Sequence, residues 1–206
     1  MPAPLPELTI VLERALSVGD PERVREARRS LAAAFPDTEA GADASFRLGL
    51  DVLFTSGDLD AAIEHLRNAT RAKSAKAAMS ARASLGILLL RQGKFQQAVF
   101  ELRKVASQKP PTLGAAQAMS IVVDAFRQQK NKIEADRARG EQLKILEAVA
   151  KSADPAVAAI AEVLLGAEHK HDGQRDQAKK RLESALAKKT LDAEYTAKAQ
   201  ALLAML

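Results

Sequence analysis

The chain has 206 residues, 47% of them hydrophobic and 28% charged, which is enough apolar material for a core and too much for a disordered chain. It has no cysteine, which excludes disulfides and thiolate metal sites, and its six Phe, one Tyr and absent Trp leave little to stack on nucleic-acid bases. The formal charge of +5 is dispersed: basic residues alternate with acidic ones, as in PERVREARR and KIEADRARGEQLK, which is the pattern of solvated helix faces.

Few β-branched and aromatic residues and many alanines and leucines predict an all-α chain. The opening MPAPLPELTIVLERALSVGD lacks a basic start and carries Glu7 and Glu13 through its apolar part, so it does not read as a secretory signal. The longest apolar run, LGILLL, is too short to cross a bilayer, and a cytoplasmic location is expected. Residues 5–35 read as a helical hairpin with Gly19 at the turn, Asp20 as N-cap and Pro21 in the first turn of the return helix.

A repeat follows. RLGLDVLFTSGDLDAAIEHLRNAT (47–70), SLGILLLRQGKFQQAVFELRKVA (84–106) and LLGAEHKHDGQRDQAKKRLESAL (164–186) align on Gly57, Gly93 and Gly173. Two positions after each glycine stand Leu59, Phe95 and Arg175; five after, Ala62, Ala98 and Ala178; nine after, Leu66, Leu102 and Leu182. The glycine suits a left-handed helix end. The small residue lets two antiparallel helices approach, and the leucine continues the buried stripe of the second. Pro110 and Pro111 then stop the pair, and Asp154-Pro155 marks another start.

These residues resemble the tetratricopeptide repeat family. In 79–112, Leu85, Gly86, Leu89, Gly93, Phe95, Ala98, Leu102 and Pro110 sit on the family pattern. In 159–192, His169 replaces the usual aromatic residue. In 43–76, Leu48-Gly49 lies one residue too far from Gly57, so either the first helix has slipped or the match is coincidental. In 116–149, Phe126 and Ala135 fit, but Lys130 stands where the glycine belongs. TLDAEYTAKAQALLAML then places Tyr195, Ala199, Leu202, Leu203 and Leu206 on one side of a capping helix over 192–206.

The resemblance implies one domain over 1–206, a right-handed superhelical solenoid of about five antiparallel helical hairpins with a C-terminal capping helix. It also implies a concave wall, built from the first helix of each pair, that grips another protein. The matching positions are Arg47, Asp51 and Phe54; Ala83, Ile87, Leu90 and Arg91; Gln117, Asp124, Arg127 and Gln128; and Ile160, Val163 and Lys170. Apolar patches around a polar middle suit an amphipathic helix or peptide. Some members hold a chaperone's C-terminal carboxylate, but the corresponding positions here include Asp51, which would repel it. Phe54, Ile87 and Leu90 have a second reading, burial between neighbouring hairpins.

Residues that could do chemistry are few. EHKHDG gathers Glu168, His169, His171 and Asp172, yet residues two apart on a helix point about 200° apart, so the histidines face different ways. His169 is expected to fill a packing slot, and His65 to lie on the exposed side of a second helix. Glu134/Asp136 and Asp58/Asp60 lack the apolar surroundings that would raise a pKa. No catalytic residue, metal or cofactor is expected. The function read from the sequence is a non-enzymatic adaptor or scaffold that binds a partner protein. The alternative is self-association through the apolar C-terminal helix, with nucleic-acid binding a third and weaker reading.

Overall fold

The computed structural model describes residues 3–72 and 76–206; Lys73, Ser74 and Ala75, at the end of the expected unit 43–76, lie outside them, as do Met1 and Pro2. Among the described residues the chain is all-helical, with eleven helices and no strand. In order these are α1 (Leu5–Val18), α2 (Pro21–Ala34), α3 (Glu39–Thr55), α4 (Leu59–Ala69), α5 (Lys76–Arg91), α6 (Phe95–Ala106), α7 (Leu113–Gln128), α8 (Lys132–Val149), α9 (Pro155–His171), α10 (Arg175–Ala187) and α11 (Ala193–Ala204). The helices α3, α5, α7 and α9 begin three or four residues before the family pattern does. The chain divides into two compact units, 1–102 and 103–206, with the division inside α6.

Polar side chains start most of these helices. Asp20, Thr38, Asp58, Thr112, Asn131, Asp154 and Asp192 each accept a hydrogen bond from a backbone N–H in the first turn that follows. Asp58 is therefore occupied as a cap, and Asp60 accepts from Gln92 Nε2 at 2.8 Å, so this carboxylate pair has structural work.

Three of the hairpin elbows share one backbone device. Gly93 has φ +72°, its N–H donates to Leu90 O at 3.0 Å, and the next N–H, of Lys94, reaches back to Leu89 O at 2.8 Å. Gly173 repeats this with Lys170 and His169 at 3.0 and 2.9 Å. So does Lys130, at φ +56°, with Arg127 and Phe126 at 2.9 and 3.0 Å. The 116–149 hairpin thus keeps the elbow without the glycine, holding a side chain in a region that disfavours it.

In the first unit, buried residues of α4, α5 and α6 form one cluster that includes Ile63, Leu66, Leu85, Leu89 and Ala98. In hairpins α3–α4 and α5–α6 a leucine closes against a glycine. A Cβ built on Gly86 would lie 2.6 Å from Leu102 Cγ, and one on Gly49 3.1 Å from Leu66 Cγ. Gly49 therefore occupies the same packing position as Gly86, and its match to the pattern is not coincidental. The extra residue is absorbed at the exit of α3, where the N–H groups of both Ser56 and Gly57 donate to Val52 O, at 3.0 and 3.2 Å.

In the second unit, Gly166 repeats the contact, 2.7 Å from Leu182 Cγ. Hairpin α7–α8 does not. Counting from the elbow, Val123 stands in the glycine's place and Arg139 in the leucine's. Val123 is buried, and the guanidinium of Arg139 turns to α9. The stripe of α8 instead runs Ala135, Ala138, Gln142, Leu146 and Val149, and the helix extends to 18 residues. Finally, α11 packs on α9 and α10, where Ala199 joins Val163, Leu182 and Ala185 in a buried cluster, and Tyr195, Leu202, Leu203 and Leu206 pack around it.

Candidate functional site

In the first unit the expected contact residues fall on α3 and α5, which pack against each other. Phe54 is 82% exposed and Ile87 38%. Burial is favourable for every large apolar side chain, at about 2 kcal/mol for a Phe or an Ile, so a phenylalanine this open is unsatisfied within its unit. Ala83 and Leu90 are half-buried, and Leu90 leans on the core cluster. Arg91 is exposed and has no ion pair among the described residues.

The two other charged residues of this set already have partners. Arg47 Nε lies 3.4 Å from Asp43, one turn back on the same helix. Asp51 is taken by Arg25 Nε of α2 at 2.8 Å, with Glu22 on the same guanidinium. Asp51 thus ties α2 to α3.

In the second unit Gln117, Asp124, Arg127 and Gln128 are all exposed on α7, with Arg127 Nη1 donating to Asp124 at 3.3 Å. On α9, Ile160 and Lys170 are half-buried, and Lys170 Nζ donates to Met205 Sδ at 3.2 Å. Val163 is completely buried. It belongs to the core between α9, α10 and α11 and offers no surface, because α11 covers the side of α9 on which it lies.

The EHKHDG cluster is drawn apart by α8. Arg139 binds both of its carboxylates, Glu168 at 2.9 Å and Asp172 at 2.8 Å. The hydrogen bond from Arg139 holds the Asp172 carboxyl below its ordinary range, and the bond to Asp172 raises the Arg139 guanidinium in turn. His169 Nδ1 lies 2.6 Å from Gln174 Oε1, and His171 points out beside Asp172 at 3.6 Å. Among the described residues no group of three or more His, Asp or Glu side chains converges to hold a metal ion. His65, expected to face solvent, is half-buried in a recess beside Arg29, Ala33 and Leu48.

A second charged cluster lies on the same unit. Arg181 of α10 binds Glu162 of α9 at 3.0 Å and also Glu147 of α8. Burial alone would lower the Arg181 pKa, but the two glutamates outweigh it and raise it.

The repeat pattern does not reach three residues that come together with Gln117. Gln142, Tyr195 and Lys198 line a cavity of about 350 Å³ in the second unit, between α7, α8, α9 and α11. One of them had a sequence signal, since Gln142 interrupts an otherwise apolar stripe on α8. Tyr195 and Lys198 had none beyond their place on the capping helix.

Among the described residues no helix is long and apolar enough to cross a membrane. No protein-family model matches the chain, and no curated protein matches it. Solved structures do. MamA aligns over 87% of this chain and 94% of its own, with 19% identity and a TM-score of 0.50. A tetratricopeptide repeat protein from Parabacteroides merdae ATCC 43184 aligns over 97% of this chain and 72% of its own, with 16% identity and a TM-score of 0.54. At these identities the likeness is one of architecture, and it agrees with the repeated elbows and glycine–leucine contacts. The chain has a tetratricopeptide-repeat-like fold.

Proposed function

We propose that the chain is a non-enzymatic interaction module of the cytoplasm, which holds a helix or peptide of a partner protein on the exposed faces of its first helices. The reading is carried by Phe54, a large aromatic side chain left 82% open on α3, with Ile87 open on the neighbouring α5. Exposed apolar anchors on neighbouring helices are what an amphipathic partner helix buries. Arg47, Ala83, Leu90 and Arg91 surround these anchors in sequence, and Gln117, Asp124, Arg127, Gln128, Ile160 and Lys170 are the corresponding contacts on the second unit. A cytoplasmic location is supported by the lack of cysteine.

Self-association through the C-terminal helix has less in its favour. The apolar side of α11 faces α9 and α10, and the large exposed apolar residue beside it is Met205, just past its end. Nucleic-acid binding is disfavoured by the many arginines already paired with carboxylates.

The test is affinity capture from the native cell with the wild-type chain and with a Phe54→Glu/Ile87→Glu variant of unchanged helicity. Loss of a captured protein from the variant supports the reading; equal capture by both moves the contact surface elsewhere.

A further inference from the structure

The cavity in the second unit gathers polar side chains whose hydrogen-bonding capacity the packing of the described residues does not use up. Gln142 is only 8% exposed, yet its carboxamide makes no hydrogen bond among the described residues. A polar group buried to that degree is normally paired, so an unpaired one lining a cavity marks a place for a ligand atom or for water. Gln117 and Ser120 of α7 line the same space and are equally unengaged. Lys198 of α11 lines it too, with no carboxylate on it and only the ring of Tyr195 at 5.7 Å.

The carboxylate at this cavity, Glu168, is already engaged, since Arg139 donates to it at 2.9 Å while also holding Asp172 at 2.8 Å. What remains available is therefore two side-chain carboxamides, the hydroxyls of Ser120 and Tyr195 and an ammonium, set beside apolar walls from Leu113, Leu146 and Leu164. A volume of about 350 Å³ lies within the range of small-ligand sites. Donors plus an unpaired cation select a carboxylate, because a charge-assisted hydrogen bond is roughly twice as strong as a neutral one. The apolar walls ask that this carboxylate stand on a short hydrocarbon stem.

We infer that this cavity is a subsite for an acidic side chain of the partner, a glutamate whose carboxylate reaches Lys198 and Gln142 while its methylenes lie on the leucines. The inference rests on the proposed reading of the chain as a protein-binding module. It adds that the bound segment is acidic at the point where it meets the second unit.

The experiment is an NMR titration of the full chain with N-acetyl-glutamate N-methylamide. The glutamine analogue serves as the neutral control and glutarate as a free small acid. The expected result is saturable shifts of the Gln142 and Gln117 side-chain amides, with the glutamate probe binding at least fivefold tighter than the glutamine one. Lys198→Glu, on an exposed position, is expected to weaken the glutamate probe at least tenfold, and Gln142→Met, which preserves volume, to weaken it as well.

Equal binding of the two blocked probes, or binding unchanged by Lys198→Glu, overturns the inference. So does tight binding of glutarate without the blocked glutamate, which would make the site one for a free acid. A partner lost on Phe54→Glu/Ile87→Glu but indifferent to Lys198→Glu would keep the proposed function and remove this subsite from it.

Discussion

Gly86 faces Leu102 so closely that a Cβ on the glycine would lie 2.6 Å from Leu102 Cγ and 2.9 Å from its Cδ2. Leu102 is wholly buried, so it has no solvent-filled space to retreat into. The same pairing recurs between Gly166 and Leu182, and in a looser form between Gly49 and Leu66. A helix-interior glycine normally costs about 1 kcal/mol relative to alanine; here it is retained because the facing helix takes the space.

Gly86→Ala is therefore expected to destabilise the chain. Overpacking of about 2 kcal/mol is partly offset by the gain in helix propensity, leaving about 1 kcal/mol net. Gly140→Ala is expected to act in the opposite direction, stabilising by about 0.5–1 kcal/mol, because nothing lies within 4 Å of a Cβ built there. Urea unfolding of the two variants gives the signs; a stabilising Gly86→Ala would contradict the contact.

The elbow at Lys130 predicts a second pair of opposite signs. Its φ of +56° costs a side-chain-bearing residue about 1–2 kcal/mol, which Lys130→Gly relieves at the expense of greater unfolded-chain entropy. The expected net gain is about 0.5–1 kcal/mol, whereas Gly93→Ala, at φ +72°, is expected to lose about 1–2 kcal/mol. Thermal unfolding of both variants is sufficient, and no rise in Tm for Lys130→Gly would argue against the shared elbow.

The Arg139 cluster makes stability depend on acid. The pKa of Asp172 is lowered by Arg139, so its contribution is fully present above the ordinary aspartate range of about 4 and is lost as pH falls through the lowered value. Asp172→Asn is expected to flatten the pH dependence of stability below about pH 4 while changing little of its slope near neutrality. Arg139→Met leaves Glu168 and Asp172 without their cation and is expected to cost about 1–2 kcal/mol at pH 7, less than a fully buried pair would. Denaturant midpoints measured between pH 3 and 7 test both variants.

Removing residues 193–206 takes away the cover of α9 and α10. Val163, Leu182 and Ala185 lose the packing of Ala199, Leu202 and Leu203, and the second unit is expected to lose at least about 3 kcal/mol. The truncated chain should bind a hydrophobic dye and associate at concentrations where the whole chain does not. A truncated chain of unchanged Tm would mean that α11 is not needed as a cap.

The hairpins were legible because their determinants are local. A glycine at a left-handed helix end, a small residue five positions on and a leucine nine on can be read without knowing any neighbour, and Gly57, Gly93 and Gly173 all take the positive φ that this reading requires. Lys130 carried no such sign: its conformation is imposed by the packing of α7 on α8, which outweighs a local preference of one or two kcal/mol. The candidate contact faces were only half legible. The spacing of Phe54 from Arg47 and Asp51, and of Ile87 from Ala83 and Leu90, indicates one side of each helix, but whether that side is open depends on what packs beside it. Spacing selected Val163 in the same way, and α11 buried it.

By itself, then, the sequence determined the helices, most of their elbows and the glycine–leucine contacts of three hairpins, since these depend on residues fewer than twenty positions apart. Only the tertiary structure decided which charges and amides are already engaged. Asp51 is claimed by Arg25 of another helix, Arg139 by two carboxylates some thirty residues on, and Gln142 by nothing. Electrostatic satisfaction is a property of distances across helices, and the periodicity of one helix carries no information about the charge its neighbour brings.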